Sequence, residues 1–207
     1  MARKSNRQTV MRTRIAAAAA RIMAEDGVDD FALAKRKAAR QLGALDTQAL
    51  PGNDEIEAEL RAYRALYHAD EHASVIEQLR RVALDAMRVL EHFHPYLTGP
   101  VLKGTAGPYA EIDLQLFPDS TKEVEIFLLD RGVSFATHEA RRYSGDQAHP
   151  VSVITLLWDS LPLRLSVLDP RVERLALKTS LAGRVLERAG IPEVSALLRT
   201  DQAGKMG

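Results

Sequence analysis

Cysteine is absent from the 207 residues, which excludes disulfides, thiolate metal sites and a cysteine nucleophile. Net charge is missing as well. The 28 Lys and Arg are matched by 28 Asp and Glu, so no global field draws the chain to nucleic acid, and only local patches can. No stretch approaches the roughly 20 apolar residues that a membrane helix needs. The basic amino terminus runs into an alanine-rich stretch broken by Arg21, without the apolar core of a signal peptide, so a cytoplasmic protein is expected. There is no internal repeat, no P-loop and no dinucleotide fingerprint, since Gly104 and Gly107 stand isolated. What is present is 46% apolar and 27% charged, the balance of a globular protein with a sizeable core.

The two ends of the chain read differently, and the expected class is α+β. From about Thr9 to Tyr96 the apolar spacing is helical. Ile15, Ala18, Ala19, Ile22 and Met23 make one stripe, closed by Gly27. Asp30 caps a second helix that stops at Gly43, and Asn53 caps a third with acids in its first turn. A fourth is expected from about Ala73 to Phe93. After Pro95 the runs become short and β-like: 101–104, 110–117, 133–136, 151–158 and 161–168, with Asp159-Ser160 as a hairpin turn between the last two. Pro118 to Thr121 opens a helix closed by Gly132. The tail reads as helical from Arg171 to Leu198 with a break at Gly190-Ile191-Pro192, then a frayed end. The division that follows is a helical domain over 1–97, a small mixed-sheet domain over 98–170 against which the helical bundle packs, and carboxyl-terminal helices over 171–207.

One segment speaks about chemistry. In Leu102 to Leu116 a Gly104-Thr105 step precedes a strand carrying Glu111 and Asp113. Residues two apart on a strand share a face, so the two carboxylates lie side by side with Gln115, while Ile112, Leu114 and Leu116 face the other way. Paired carboxylates beside a glycine turn can hold a hard divalent cation near a phosphate, or can be the wet side of a half-buried strand.

These residues resemble the nucleotidyltransferase (polymerase β-like) family. There, a hydrophobic strand ends in Gly-Ser or Gly-Thr, a strand of acid-x-acid form follows, and a third acid sits on a later strand. The resemblance covers about residues 99–169. It implies that Lys103, Gly104 and Thr105 bind nucleotide phosphates and that Glu111 and Asp113 are catalytic and hold magnesium. The run Ala34 to Gly43 is also similar to one in bacterial proteins described as nucleotidyltransferase-like.

The motif is degenerate. Only five residues separate Thr105 from Glu111, too few for the family's usual helical turn. The third acid is expected near Arg164 or Ser166, neither of which binds magnesium as a carboxylate does. Glu125 falls in a helix, and Asp169 has the wrong parity. The expected role is therefore binding of nucleotide or nucleic acid with weak or no catalysis. The alternative is an active magnesium-dependent nucleotidyltransferase.

A third class is a nucleic-acid-binding regulator. The first 45 residues hold ten Lys or Arg against four acids, led by Arg3, Lys4, Arg7, Arg12 and Arg14. The first two helices resemble the opening of a helix-turn-helix regulator, but Ala44 to Pro51 does not read as a recognition helix. Asp46 to Glu71 carries seven acids that can answer the basic face. His68 and His72 stand four apart and could share a metal on one helix. His92 and His94 read as capping or surface groups. Arg141-Arg142-Tyr143 reads as the charged edge of a sheet rather than a phosphate contact, and Trp158 as core.

Overall fold

The computed structural model describes residues 2–28, 30–44, 49–67, 69–107, 110–181 and 183–204. The side chains of residues 2–7, 65, 67, 69–71 and 202–204 lie outside that description. His68 and the side chains of Arg3, Lys4 and Arg7 therefore lie outside it too. Among the described residues the protein is α+β, with seven α-helices and one five-stranded mixed sheet. None of these helices is long and apolar enough to cross a membrane. The chain divides into two compact units, residues 1–74 and 75–207.

The first unit holds α1 (Ala2–Glu25), α2 (Phe31–Gln41) and α3 (Asn53–Tyr67). Its core is rich in alanine: Ala16, Ala19, Ala20, Ala34, Ala38 and Ala39 are buried with Ile15, Ile22, Met23, Ile56 and Leu60. Alanine costs no side-chain entropy in a helix and lets neighbouring helices approach closely. Asp30 caps α2, accepting from the backbone of Ala32 and Leu33. The basic face finds acids within the unit. Arg12 grips Glu55, Lys37 stands 3.7 Å from Asp26, and Arg21 pairs with Glu25.

α4 (Ala69–Val89) leads into the second unit. After a short 3-10 turn at Glu91–Phe93 come β1 (Tyr96–Thr98), α5 (Gly99–Lys103), β2 (Ile112–Leu116) and α6 (Thr121–Asp130). β3 (Phe135–Ser144), β4 (Gln147–Trp158) and β5 (Leu161–Val167) follow, and α7 (Ile191–Gly204) closes the chain. The sheet order is β1-β2-β5-β4-β3. Only β2 and β5 are parallel. Ile112, Leu114, Leu116, Leu163, Leu165 and Ile154 alternate onto one face and are buried beneath α4, α5, α6 and α7.

Several expectations are corrected. Residues 101–104 are not a strand. Gly99 turns the chain at φ +74°, Pro100 presets the helical φ, and α5 follows. The strand lies just before, as β1. β3 is longer than expected and, with β4, makes a long hairpin that puts Arg141 to Tyr143 on an edge strand. No helix starts at Arg171. After a 3-10 turn at Pro170–Val172, the chain crosses the second face of the sheet in irregular conformation. It bridges β3 through Tyr143 and Lys178, and β1 through Leu97 and Ala189. Val172 and Leu177 pack there against Phe117, Val151, Val153 and Leu168. Asp201 is not frayed but belongs to α7 and pairs with Arg80 at 2.9 Å.

The Asp159-Ser160 turn is as expected, with both residues at positive φ joining β4 to β5. Trp158 is partly buried against the main core.

Candidate functional site

β2 carries Ile112 and Leu114 into the core, so Asp113 and Gln115 take the second face. The parallel register sets Asp113 beside Arg164 and Gln115 beside Ser166. Glu111 and Asp113 come together as expected, but around a cation. Arg164 Nε and Nη2 both reach Asp113 Oδ1 at 2.5 Å, and Nη1 reaches Glu111 Oε2 at 2.9 Å. A guanidinium thus stands where the third carboxylate was sought. Burial pushes the Asp113 carboxyl above the ordinary carboxylate range. Arg164 opposes that shift by charge and hydrogen bond without cancelling it, and Glu111 adds to it.

The donor set does not fit magnesium. That ion asks for near-octahedral oxygen ligands, and here both carboxylates are engaged by Arg164. Among the described residues no group of three His, Asp or Glu is placed to hold a metal ion. Asp169 caps the 3-10 turn through the Arg171 N–H and does not join the pair. Glu125 lies on α6, as expected. Since His68 lies outside the described residues, the His68–His72 metal reading has no geometry to test. His94 stands 3.3 Å from Glu173, and His92 stacks on Phe93.

Lys103, Gly104 and Thr105 form the end of α5 rather than a loop against the acids. Gly104 adopts φ +68°, and the N–H groups of Gly104 and Thr105 return to the helix, the latter to Pro100 O at 2.9 Å. Arg80 seals the same end by donating to the carbonyls of Val101 and Leu102. With those N–H groups committed, the step lacks the free backbone donors that a phosphate cradle uses. The glycine that does lie against the acid pair is Gly99. A Cβ there would come within 2.6 Å of Asp113 Oδ2 on a backbone at φ +74°, so a larger residue would be strained and would displace that carboxylate.

Further along, the second face is polar and closed. Gln115 is 1% exposed, and neither its Oε1 nor its Nε2 has a hydrogen-bond partner among the described residues. Arg142 reaches from edge strand β3 across β4 and donates through Nη2 to Ser166 Oγ at 3.1 Å. Burial lowers its pKa, as does the charge of Arg164, while Asp113 raises it. Glu111 lines a shallow hollow of about 400 Å³ with Thr155 and Ala136. A larger one, about 1070 Å³, lies past the carboxyl ends of β2 and β5, between Ser120, Lys122, Arg141 and Asp169.

In the sequence Arg164 stands out only as a misfit at the third-acid position. Gly99 and Arg142 carried weaker signals, a glycine before proline and a basic alternation. No family model matches the chain, nor does any curated protein or solved structure.

Proposed function

We propose that residues 96–167 form a nucleotidyltransferase-like module that binds a nucleotide, or the phosphate-bearing end of a nucleic acid, without catalysing transfer. The observation that carries this reading is Arg164, which faces Asp113 in register and holds both acids. A two-metal phosphoryl transfer needs carboxylates free to bridge the ions. Here an organic cation takes that place, and its single charge offsets one of the pair's two without metal.

The order of elements supports the same reading. β1 ends at Thr98, just before Gly99, α5 supplies the helical turn, and Glu111 and Asp113 enter β2 as acid-x-acid. α6 follows, and β5 lies alongside β2. On this alignment the family's Gly step corresponds to Gly99, with Pro100 in place of the family's Ser or Thr, and α5 fills the interval before β2. A shallow hollow lies beside Glu111, next to the charged group.

The test is calorimetric titration of the full chain with nucleoside mono-, di- and triphosphates, with magnesium and with a chelator. Binding that is the same in both conditions, with no pyrophosphate released, is the expected outcome. Magnesium-dependent binding with pyrophosphate release would replace it with the active-enzyme reading.

A further inference from the structure

Among the described residues, the buried side-chain atoms without a hydrogen-bond partner fall on one side of the sheet. They are Thr98 Oγ1, both amide atoms of Gln115, Arg142 Nε, His149 Nε2 and Arg188 Nη1. Strand alternation puts Thr98, Gln115, His149 and Arg142 on the face of Asp113, and Arg188 stacks over Tyr96 and Phe117 on that same face. Native interiors rarely leave such groups unpaired, and a concentration of them in one place asks what they are for.

Their chemistry is that of a receptor for an anion. Beside Gln115 and Arg142, Glu111 and Asp113 are held by Arg164, while Glu173 accepts from Tyr96 near Arg188. Arg142 is different. It is half-buried, with its Nε sealed, and its two hydrogen bonds go to neutral oxygens, Ser166 Oγ and the Arg141 carbonyl. No carboxylate among the described residues stands within ion-pair distance of it. A half-buried guanidinium whose nearest opposing charge, Asp113, is already engaged by Arg164 is costly, and burial lowers its pKa in the same sense.

Ser166 accepts from Arg142, so its own hydroxyl hydrogen remains available to donate. Gln115, in register with Ser166, adds an amide donor. Three donors of this kind, one charged, suit the several acceptor oxygens of a phosphate group better than a flat, two-oxygen carboxylate.

We propose that Gln115, Ser166 and Arg142 form an oxyanion site for a phosphate group, roofed by the segment that crosses the sheet after Val172. The roof explains why Gln115 is sealed while the site is polar. Isolated bridges, at Tyr143–Lys178 and Leu97–Ala189, tie the roof to the two sheet edges without a regular strand, and Leu181 and Val185 are exposed on it. Entry of the anion requires this segment to lift, and the bound anion then holds it down. The site rests on the nucleotide reading only for the nature of the larger ligand.

The experiment uses inorganic phosphate as the probe, with sulfate and chloride at matched ionic strength. Binding to the full chain is followed by calorimetry and by protection of the crossing segment in hydrogen exchange. Phosphate is expected to bind wild type and to slow exchange in residues 173–181. Gln115→Leu and Arg142→Gln each weaken it about tenfold or more, as losing a buried donor to a charged ligand does. If one variant fails to fold, the other carries the comparison.

Absence of phosphate binding, or equal affinity in both folded variants, overturns the proposal. Phosphate binding lost in the variants, with nucleosides adding nothing to affinity, keeps the oxyanion site and removes the nucleotide reading. Nucleotide binding unaffected by both variants does the reverse.

Discussion

At alternate positions of the same strands, the sheet meets two different interiors. On one side Ile112, Leu114, Leu116, Leu163 and Leu165 are buried under four helices, with no polar atom to satisfy. On the other, Asp113, Gln115, Arg164 and Ser166 sit at the intervening positions. They are covered in part by an irregular segment, and several of their neighbours' polar atoms lack partners. The first face is what a fold needs. The second is worse for stability than an apolar face of the same size, since an unsatisfied buried group costs about 1–3 kcal/mol. The two faces of the same strands therefore contribute to stability in opposite senses.

The contrast is sharpest between two adjacent residues. Leu114→Ala removes aliphatic packing from a fully buried position and is expected to cost about 3 kcal/mol in urea unfolding. Gln115→Leu, one residue on, is expected to cost nothing or to stabilise by about 1 kcal/mol, because an unpaired amide is replaced by an apolar group. If Gln115→Leu proves as damaging as Leu114→Ala, the amide is satisfied in solution and the two faces are not different in kind.

Arg164 can be converted rather than removed. Arg164→Asp sets a third carboxylate beside the pair at the register position opposite Asp113. Without metal this variant is expected to lose about 1–2 kcal/mol, modest because Arg164 is partly exposed and its ion pairs are screened. Millimolar magnesium is expected to restore its melting temperature while leaving wild type unchanged. A wild-type protein stabilised by magnesium to the same extent would show that Arg164 yields to the ion.

Much of this arrangement was legible in the chain. The alternation of Ile112, Leu114 and Leu116 against Asp113 and Gln115 set the two faces, and Arg164 was already marked at the place of the missing acid. Less legible was what depends on long-range pairing. The Val101-Leu102 run has strand composition, yet Gly99-Pro100 makes a helical turn of it, a local choice that overrides propensity. The tail from Arg171 reads as helical, but Leu177 is used to plug the second face. Arg142 has the pattern of an edge charge and does lie on an edge strand. Its reach across β4 to Ser166 depends on side-chain direction, which strand periodicity does not encode.

The smallest expected effect concerns pH and separates Asp113 from an ordinary ion-paired carboxylate. An aspartate dominated by its arginine has a depressed pKa in the fold and supports stability at neutral pH. Asp113 is shifted the other way, because burial outweighs the help from Arg164. Between the usual carboxylate pKa and this raised value, the folded protein holds a proton that the unfolded chain has released. Stability contributed by this group is therefore complete below the unfolded value and falls as pH rises through the folded one. Unfolding curves for wild type and Asp113→Asn, measured from mildly acidic to neutral pH, should diverge. Relative to the variant, wild type should lose stability as pH increases across that window. The opposite slope would mean that Arg164 dominates, that Asp113 is a conventional salt-bridge partner, and that the polar face is better satisfied than its burial implies.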